Sequence, residues 1–132
     1  MKLKFEELVS LAMEKVNPRQ LSGSTEAGAV AAAIETASGN VYLGVNIDAP
    51  CSVGFCAEHA AIGAMVTAGE NRIVKMAAVK KGGIIIPPCG RCREFICQVH
   101  PDNGDCEVLL SGGRVVRIDD LLPSRWDRTA EN

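Results

Sequence analysis

Three cysteines and one glutamate, set in two short segments, form the most chemically loaded pattern in the chain: Cys56-Ala57-Glu58 and Pro88-Cys89-Gly90-Arg91-Cys92. Three thiolates supply three of the four ligands that tetrahedral zinc takes, and the open fourth position marks a catalytic rather than a structural site. Glu58 stands two residues from Cys56. A carboxylate there sits beside the metal without ligating it, placed to carry protons for an attacking water. The pattern reads as zinc-assisted hydrolysis. Each piece has a plainer reading. Cys-x-x-Cys also occurs as a redox dithiol, although the strand-first context of such folds is missing before Pro88. Glu58 alone would pass for a first-turn carboxylate favoured by a helix dipole. His59 could complete a structural zinc site, but its place after Glu58 turns it elsewhere on the helix, as a packed histidine or one supporting a ligand.

The elements that must position these residues follow from hydrophobic spacing. Apolar residues at Phe5, Leu8, Val9, Ala12, Met13 and Val16 predict a helix over 5–16, ended by Asn17-Pro18. Residues 19–27 read as irregular. Small apolar residues over 28–36 and the run 41–46, joined through Ser38-Gly39-Asn40, predict a β-hairpin. A loop over 47–55 delivers Cys56. Residues 57–68, small and mostly apolar, predict a helix buried on nearly all sides. A strand over 73–79, a loop over 80–88 and a helix over 89–99 follow, with His100-Pro101 as the stop. Strands over 107–110 and 114–118 close the pattern. The order α-β-β-α-β-α-β-β implies one mixed sheet flanked by helices. Cys89 and Cys92, three apart at a helix start, face one point. Cys56 opens the other helix, and both N-termini favour thiolate over thiol.

With 132 residues the chain makes one domain, 1–132, and its low aromatic content leaves the core to Ala, Val, Ile, Leu and Met. A net charge of −2 with scattered basic residues argues against nucleic acid as a partner. No apolar run reaches membrane-spanning length, and 1–16 is too charged for a signal peptide. These features point to a cytoplasmic protein. Six cysteines there are ligands or buried thiols rather than a disulfide framework, and Cys51, Cys97 and Cys106 remain outside the zinc pattern.

Cys56-Ala57-Glu58 followed by Pro88-Cys89-Gly90-Arg91-Cys92-Arg93 resembles the signature of the small zinc-dependent cytidine deaminases, and the likeness runs over most of the chain. Gly44-Val45-Asn46-Ile47 is similar to the segment that meets the sugar, and Leu121-Leu122-Pro123-Ser124 to the family's C-terminal end. The resemblance implies a three-layer αβα fold with a mixed sheet of about five strands. It implies Zn²⁺ as cofactor, the Ala57 backbone on the pyrimidine carbonyl, and Asn46 with Asp48 at the sugar. The partner it implies is a small aminated nucleoside, and the assembly a homotetramer. Gly90-Arg91-Cys92-Arg93 and the closing Leu-Leu-Pro-Ser are closer to the blasticidin-S deaminase branch.

The departures fall where substrate is selected. The family's first strand carries an aromatic residue facing the nucleoside, and here that position is Gly28. Its Asn-x-Glu sugar clamp reads Asn46-Ile47-Asp48, and its Arg after the glutamate is His59. The leading function is hydrolytic deamination of a cytidine-like nucleoside. The alternatives are a cytosine nucleoside antibiotic of the blasticidin-S type or another aminated base, and a zinc-stabilised binding protein without turnover. Trp126 closes over a substrate, its own or a neighbour's, or packs as a tail residue. Arg91 contacts substrate or a neighbouring subunit, or is solvated.

Overall fold

Small side chains on the central strand let helices pack closely against both faces of one mixed sheet. The computed structural model describes residues 3–127. Its elements run α1 (Phe5–Met13), β1 (Arg19–Gln20), β2 (Glu26–Thr36), β3 (Val41–Asp48), α2 (Ala57–Thr67), β4 (Ile73–Lys80), β5 (Ile84–Ile86), α3 (Gly90–Val99), β6 (Glu107–Leu109), β7 (Val115–Arg117) and α4 (Ile118–Leu121). Five of the strands form the main ladder, β3-β2-β4-β6-β7, as the resemblance implies. Two short strands raise the total to seven: β1 pairs with Glu26 and Ala27 of β2, and β5 with Ala78–Lys80 of β4. Only β4 and β6 run parallel, and α3 lies on the crossover that such a pair requires.

Side chains alternate along β2. Ala31 and Ala33 meet Leu8 and Ala12 of α1 on one face. Ile34 meets Ile62 and Met65 of α2, Met76 of β4 and Ile96 of α3 on the other. The predicted hairpin is present, longer by two residues at each outer end. Four local expectations are corrected. The first helix ends at Met13 rather than Val16. Within 19–27, Arg19 and Gln20 gain a strand partner. Within 80–88, Ile84–Ile86 become a strand. Ile118 opens α4 instead of ending a strand. Short strands of this kind exist only through pairing, so no local periodicity announces them.

The helix over 57–68 is also not buried all round. Ala57, Glu58, Ala61, Ile62 and Met65 face the sheet, whereas Gly63, Ala64, Val66 and Thr67 face outward. Within one chain only one side of α2 meets the sheet, and Val66 remains 50% exposed.

Two contacts hold the helices in place. Gly44 of β3 lies directly under α2, where an added Cβ would fall 2.3 Å from the Ala61 nitrogen and 2.6 Å from the Ala57 oxygen. Asn103, fully buried, ties three segments together. Its Oδ1 accepts from the Ile73 N–H (2.9 Å), and its Nδ2 donates to the Ile96 and Asn71 carbonyls (2.9 and 3.0 Å). Removing one side of such bonds strands buried polar groups, at about 1–3 kcal/mol each. Asn103→Ala should therefore lower unfolding free energy by about 3 kcal/mol or more in urea titration. A loss below about 1 kcal/mol would show that these bonds are replaced by water.

Candidate active site

Cys56 and Cys89 each occupy the N-cap of a helix, with extended backbone (φ −76°, ψ 159° and φ −67°, ψ 168°). Cys92 sits one turn into α3 and is fully buried. The start of α3 is fixed by Arg93, whose Nε donates to the Pro88 carbonyl (2.8 Å) and whose guanidinium also reaches the Leu121 carbonyl (3.1 Å). The two helix starts meet. Cys56 Sγ lies 3.4 Å from Cys89 Sγ, which lies 3.4 Å from Cys92 Sγ, and all three sulfurs are within 4.8 Å of one another. Three convergent sulfur donors, two of them from residues on a cavity wall, fit zinc with one open position.

The thiols differ in acidity. Burial, then the hydrogen bond with Cys89, pushes the Cys56 thiol up. Burial and the Glu58 charge push Cys92 up strongly. Burial acts the same way on Cys89, but the Cys92 and Arg91 backbone amides and the neighbouring thiols outweigh it and bring that thiol down. A divalent cation must therefore displace protons from Cys56 and Cys92 when it binds.

Cys56 and Cys89 line a cavity of about 510 Å³ together with Asn46, Asp48, Ala57, Glu58 and Arg91 among others, whereas Cys92 is fully buried. Glu58 is 3% exposed, and burial raises its carboxyl above the ordinary range, which suits a group that must both hold and release a proton. Asn46 is held by one end. Its Oδ1 accepts from the Val30 N–H (2.9 Å), which a register shift in the β2–β3 ladder between Ala27 and Ala31 leaves available. The amide Nδ2 has no hydrogen-bond partner among the described residues and belongs to a cavity-lining side chain.

Two expected site residues lie elsewhere. Gly28 is not on the cavity wall. Its left-handed φ of +85° and the Asn17 carbonyl, 2.2 Å from where a Cβ would stand, make it a backbone requirement beneath β1. Trp126 is 67% exposed, and only its backbone N–H reaches the α3 side chain Glu94 (3.4 Å). The cavity also uses residues that carried no local signal: Val30, Ser52, Phe55 and Ile86. Reciprocal hydrogen bonds between Ile47 and Phe55 (3.0 and 2.9 Å) close the rim loop. Within it, Cys51 and Ser52 both adopt left-handed backbone (φ 64° and 58°). The Pro50-Cys51 pair after Asp48 hints at a turn, but nothing in it points to a cavity rim.

His59 packs against α3. Its ring stacks on Phe95 (centroids 4.6 Å apart, planes at 18°), and Nδ1 lies 3.3 Å from Cys92 Sγ. Burial, then the Arg91 charge, lowers its basicity.

The family model for the cytidine and deoxycytidylate deaminase zinc-binding region matches residues 4–104, a span holding both cysteine segments and Glu58. The chain belongs to the cytidine deaminase family. Blasticidin-S deaminase of Bacillus cereus is 33% identical over 134 residues, covering 92% of this chain and 91% of that protein. Cytidine deaminase of Mycobacterium tuberculosis (strain ATCC 25618 / H37Rv) is 36% identical over 100 residues, 74% of this chain and 72% of that one. Among solved structures, cytidine deaminase from Mycobacterium tuberculosis superposes with a TM-score of 0.80 at 25% identity, covering 96% of this chain and 100% of its own. The Burkholderia pseudomallei cytidine deaminase gives 0.74 at 27% identity, covering 94% and 100%. The family is zinc-dependent, and the sulfur cluster here matches that chemistry.

Metal binding to thiols gathered by folding releases their protons and contributes to stability. Cys89→Ala should lose the zinc that metal analysis finds in the parent protein, and its melting temperature should fall to that of the parent treated with a chelator. The expected loss is about 2.7 kcal/mol where free zinc stands at about 100 times its Kd. A variant that keeps full zinc would remove Cys89 from the ligand set.

Proposed function

We propose that this cytidine-deaminase-family protein hydrolytically deaminates a cytidine-like nucleoside, with Cys56, Cys89 and Cys92 holding zinc and Glu58 carrying the protons. The observation that supports this most directly is a cluster of three sulfurs, two of them from residues lining the same cavity as the buried Glu58 carboxyl. Zinc held there supplies Lewis-acid activation of the attacking water. Glu58 takes a proton from that water and gives it to the ring nitrogen next to the carbon under attack. As the water oxygen bonds to that carbon it keeps its second proton. Glu58 then takes this proton and delivers it to the amino group, so that the carbon–nitrogen bond breaks, ammonia leaves and a carbonyl remains. Ala57 opens α2, where backbone N–H groups lack intrahelical partners, so its amide is available to the pyrimidine carbonyl. The Asn46 amide, oriented by Val30, and the Asp48 carboxylate address the sugar.

The match to a blasticidin-S deaminase over nearly the whole chain favours a second reading, a cytosine nucleoside antibiotic as substrate. A cavity of about 510 Å³ with Arg91 on its wall supports the same reading. A single panel separates the readings: ammonia release from cytidine, deoxycytidine, deoxycytidylate, blasticidin S and adenosine, with zinc content measured. Turnover of cytidine and deoxycytidine is expected. Glu58→Gln should keep its zinc and lose activity by about 10³-fold or more, since general acid–base steps contribute about 10²–10⁴ each and this residue serves several. Substantial activity in that variant would remove Glu58 from the role. A zinc-loaded parent inert to the whole panel would favour a binding protein.

We also place the protein in the cytoplasm, where thiols stay reduced, as a homotetramer. No helix among the described residues is long and apolar enough to cross a membrane. The outward face of α2, with Gly63, Ala64 and Val66, supports a subunit contact. Trp126, exposed and away from its own cavity, is then free to close a neighbour's site. Light scattering on the zinc-loaded protein should give the mass of four chains, and Trp126→Ala should raise KM at unchanged mass. A monomer with full activity would sink both statements.

A further inference from the structure

Of the three sulfurs in the cluster, Cys92 is the one that water cannot reach. It is fully buried, whereas Cys89 is exposed and Cys56 partly so. A thiolate without a hydrogen-bond donor is a poorly stabilised buried charge. With all three sulfurs deprotonated on a metal, the S–H donors within the cluster are gone. Among the described residues, His59 Nδ1 at 3.3 Å is then the remaining donor to the Cys92 sulfur.

The ring is also held for that purpose. It stacks on Phe95, which follows Cys92 by three residues on α3. Phe95 and Cys92 therefore present one continuous surface of α3 to a side chain of α2, and the stack fixes the plane in which Nδ1 points. His59 itself follows Glu58 directly. The same turn of α2 thus bears the carboxyl in the cavity and the ring behind the metal cluster.

We infer that His59 is a positioning residue for the metal centre, its Nδ1–H donating to the Cys92 thiolate. Three thiolates outweigh the two charges of a divalent ion, and this bond draws negative charge off the one sulfur that solvent cannot serve. It keeps Cys92 in place as a ligand and leaves the ion more electrophilic than three unsupported thiolates would. The inference rests on the reading that Cys56, Cys89 and Cys92 hold the metal.

The test uses cobalt and zinc binding by the full-length parent, His59→Phe and His59→Asn. Phe keeps an aromatic ring on Phe95 and removes the donor. Asn removes the ring and restores a side-chain N–H near the place of Nδ1. In the parent, Co²⁺ should give thiolate-to-metal charge-transfer bands. In His59→Phe those bands should shift and zinc affinity, measured against a chromophoric chelator, should fall by about tenfold or more. His59→Asn should return both toward the parent values. His59→Leu, which matches Asn in shape without the amide, repeats the loss if the Phe variant is unstable. Loss variants with parental bands and affinity would overturn the inference, as would an Asn variant as impaired as Leu, because packing alone would then explain the effect. A parent protein without thiolate–cobalt bands would instead overturn the three-cysteine reading beneath it.

Discussion

The site depends on two helices beginning at the same point. α2 and α3 start from residues separated by more than thirty positions in the chain, yet Cys56 and Cys89 stand within van der Waals reach of each other. This requires close approach rather than strong attraction. Gly44 lets β3 touch the backbone of α2, and the alanines of β2 let the layers come together without bulky side chains between them. Arg93 holds the carbonyl just before Cys89, and Asn103 ties the far end of α3 to the start of β4. A side chain at Gly44 would push α2 away from β3 and the two helix starts apart.

Charge at the site is arranged around a shortage of positive groups. The sulfurs stand beside the acidic side chains Glu58 and Asp48, and among the described residues Arg91 is the one basic side chain on the cavity wall. Helix N-termini supply the rest of the compensation through oriented backbone amides, most clearly at Cys89. Burial separates the roles of neighbouring groups. Cys89 is exposed and acidic for a thiol, Cys92 is buried and depends on a protein donor, and Glu58 is buried enough to keep a proton available.

The cavity is divided in the same way. Its floor is made by helix starts, and its rim by the loop between Ile47 and Phe55 and by the short strand β5. Two consecutive left-handed residues in that loop cost backbone energy, and such strain persists where surrounding contacts impose it. Gly28 shows how a position matched by pattern can change purpose. In this chain it accommodates the Asn17 carbonyl rather than facing a substrate.

By itself the sequence determined the reacting groups and the local frames that hold them. Cys-x-x-Cys on a helix start, Cys-Ala-Glu on another, the hairpin and the main strands all follow from spacing and propensity within about ten residues. The family resemblance rests on those same short segments. Tertiary structure alone decided what nonlocal pairing creates: the strands β1 and β5, the lining residues Val30, Ser52 and Ile86, the outward face of α2, and the placement of Gly28 and Trp126 outside the cavity. It also set the surroundings of His59 by bringing Phe95 and Cys92 against its ring. The physical reason is the same in each case. A side chain's chemistry is written in its own residue type, but its neighbours are set by distant chain segments that become adjacent only on folding.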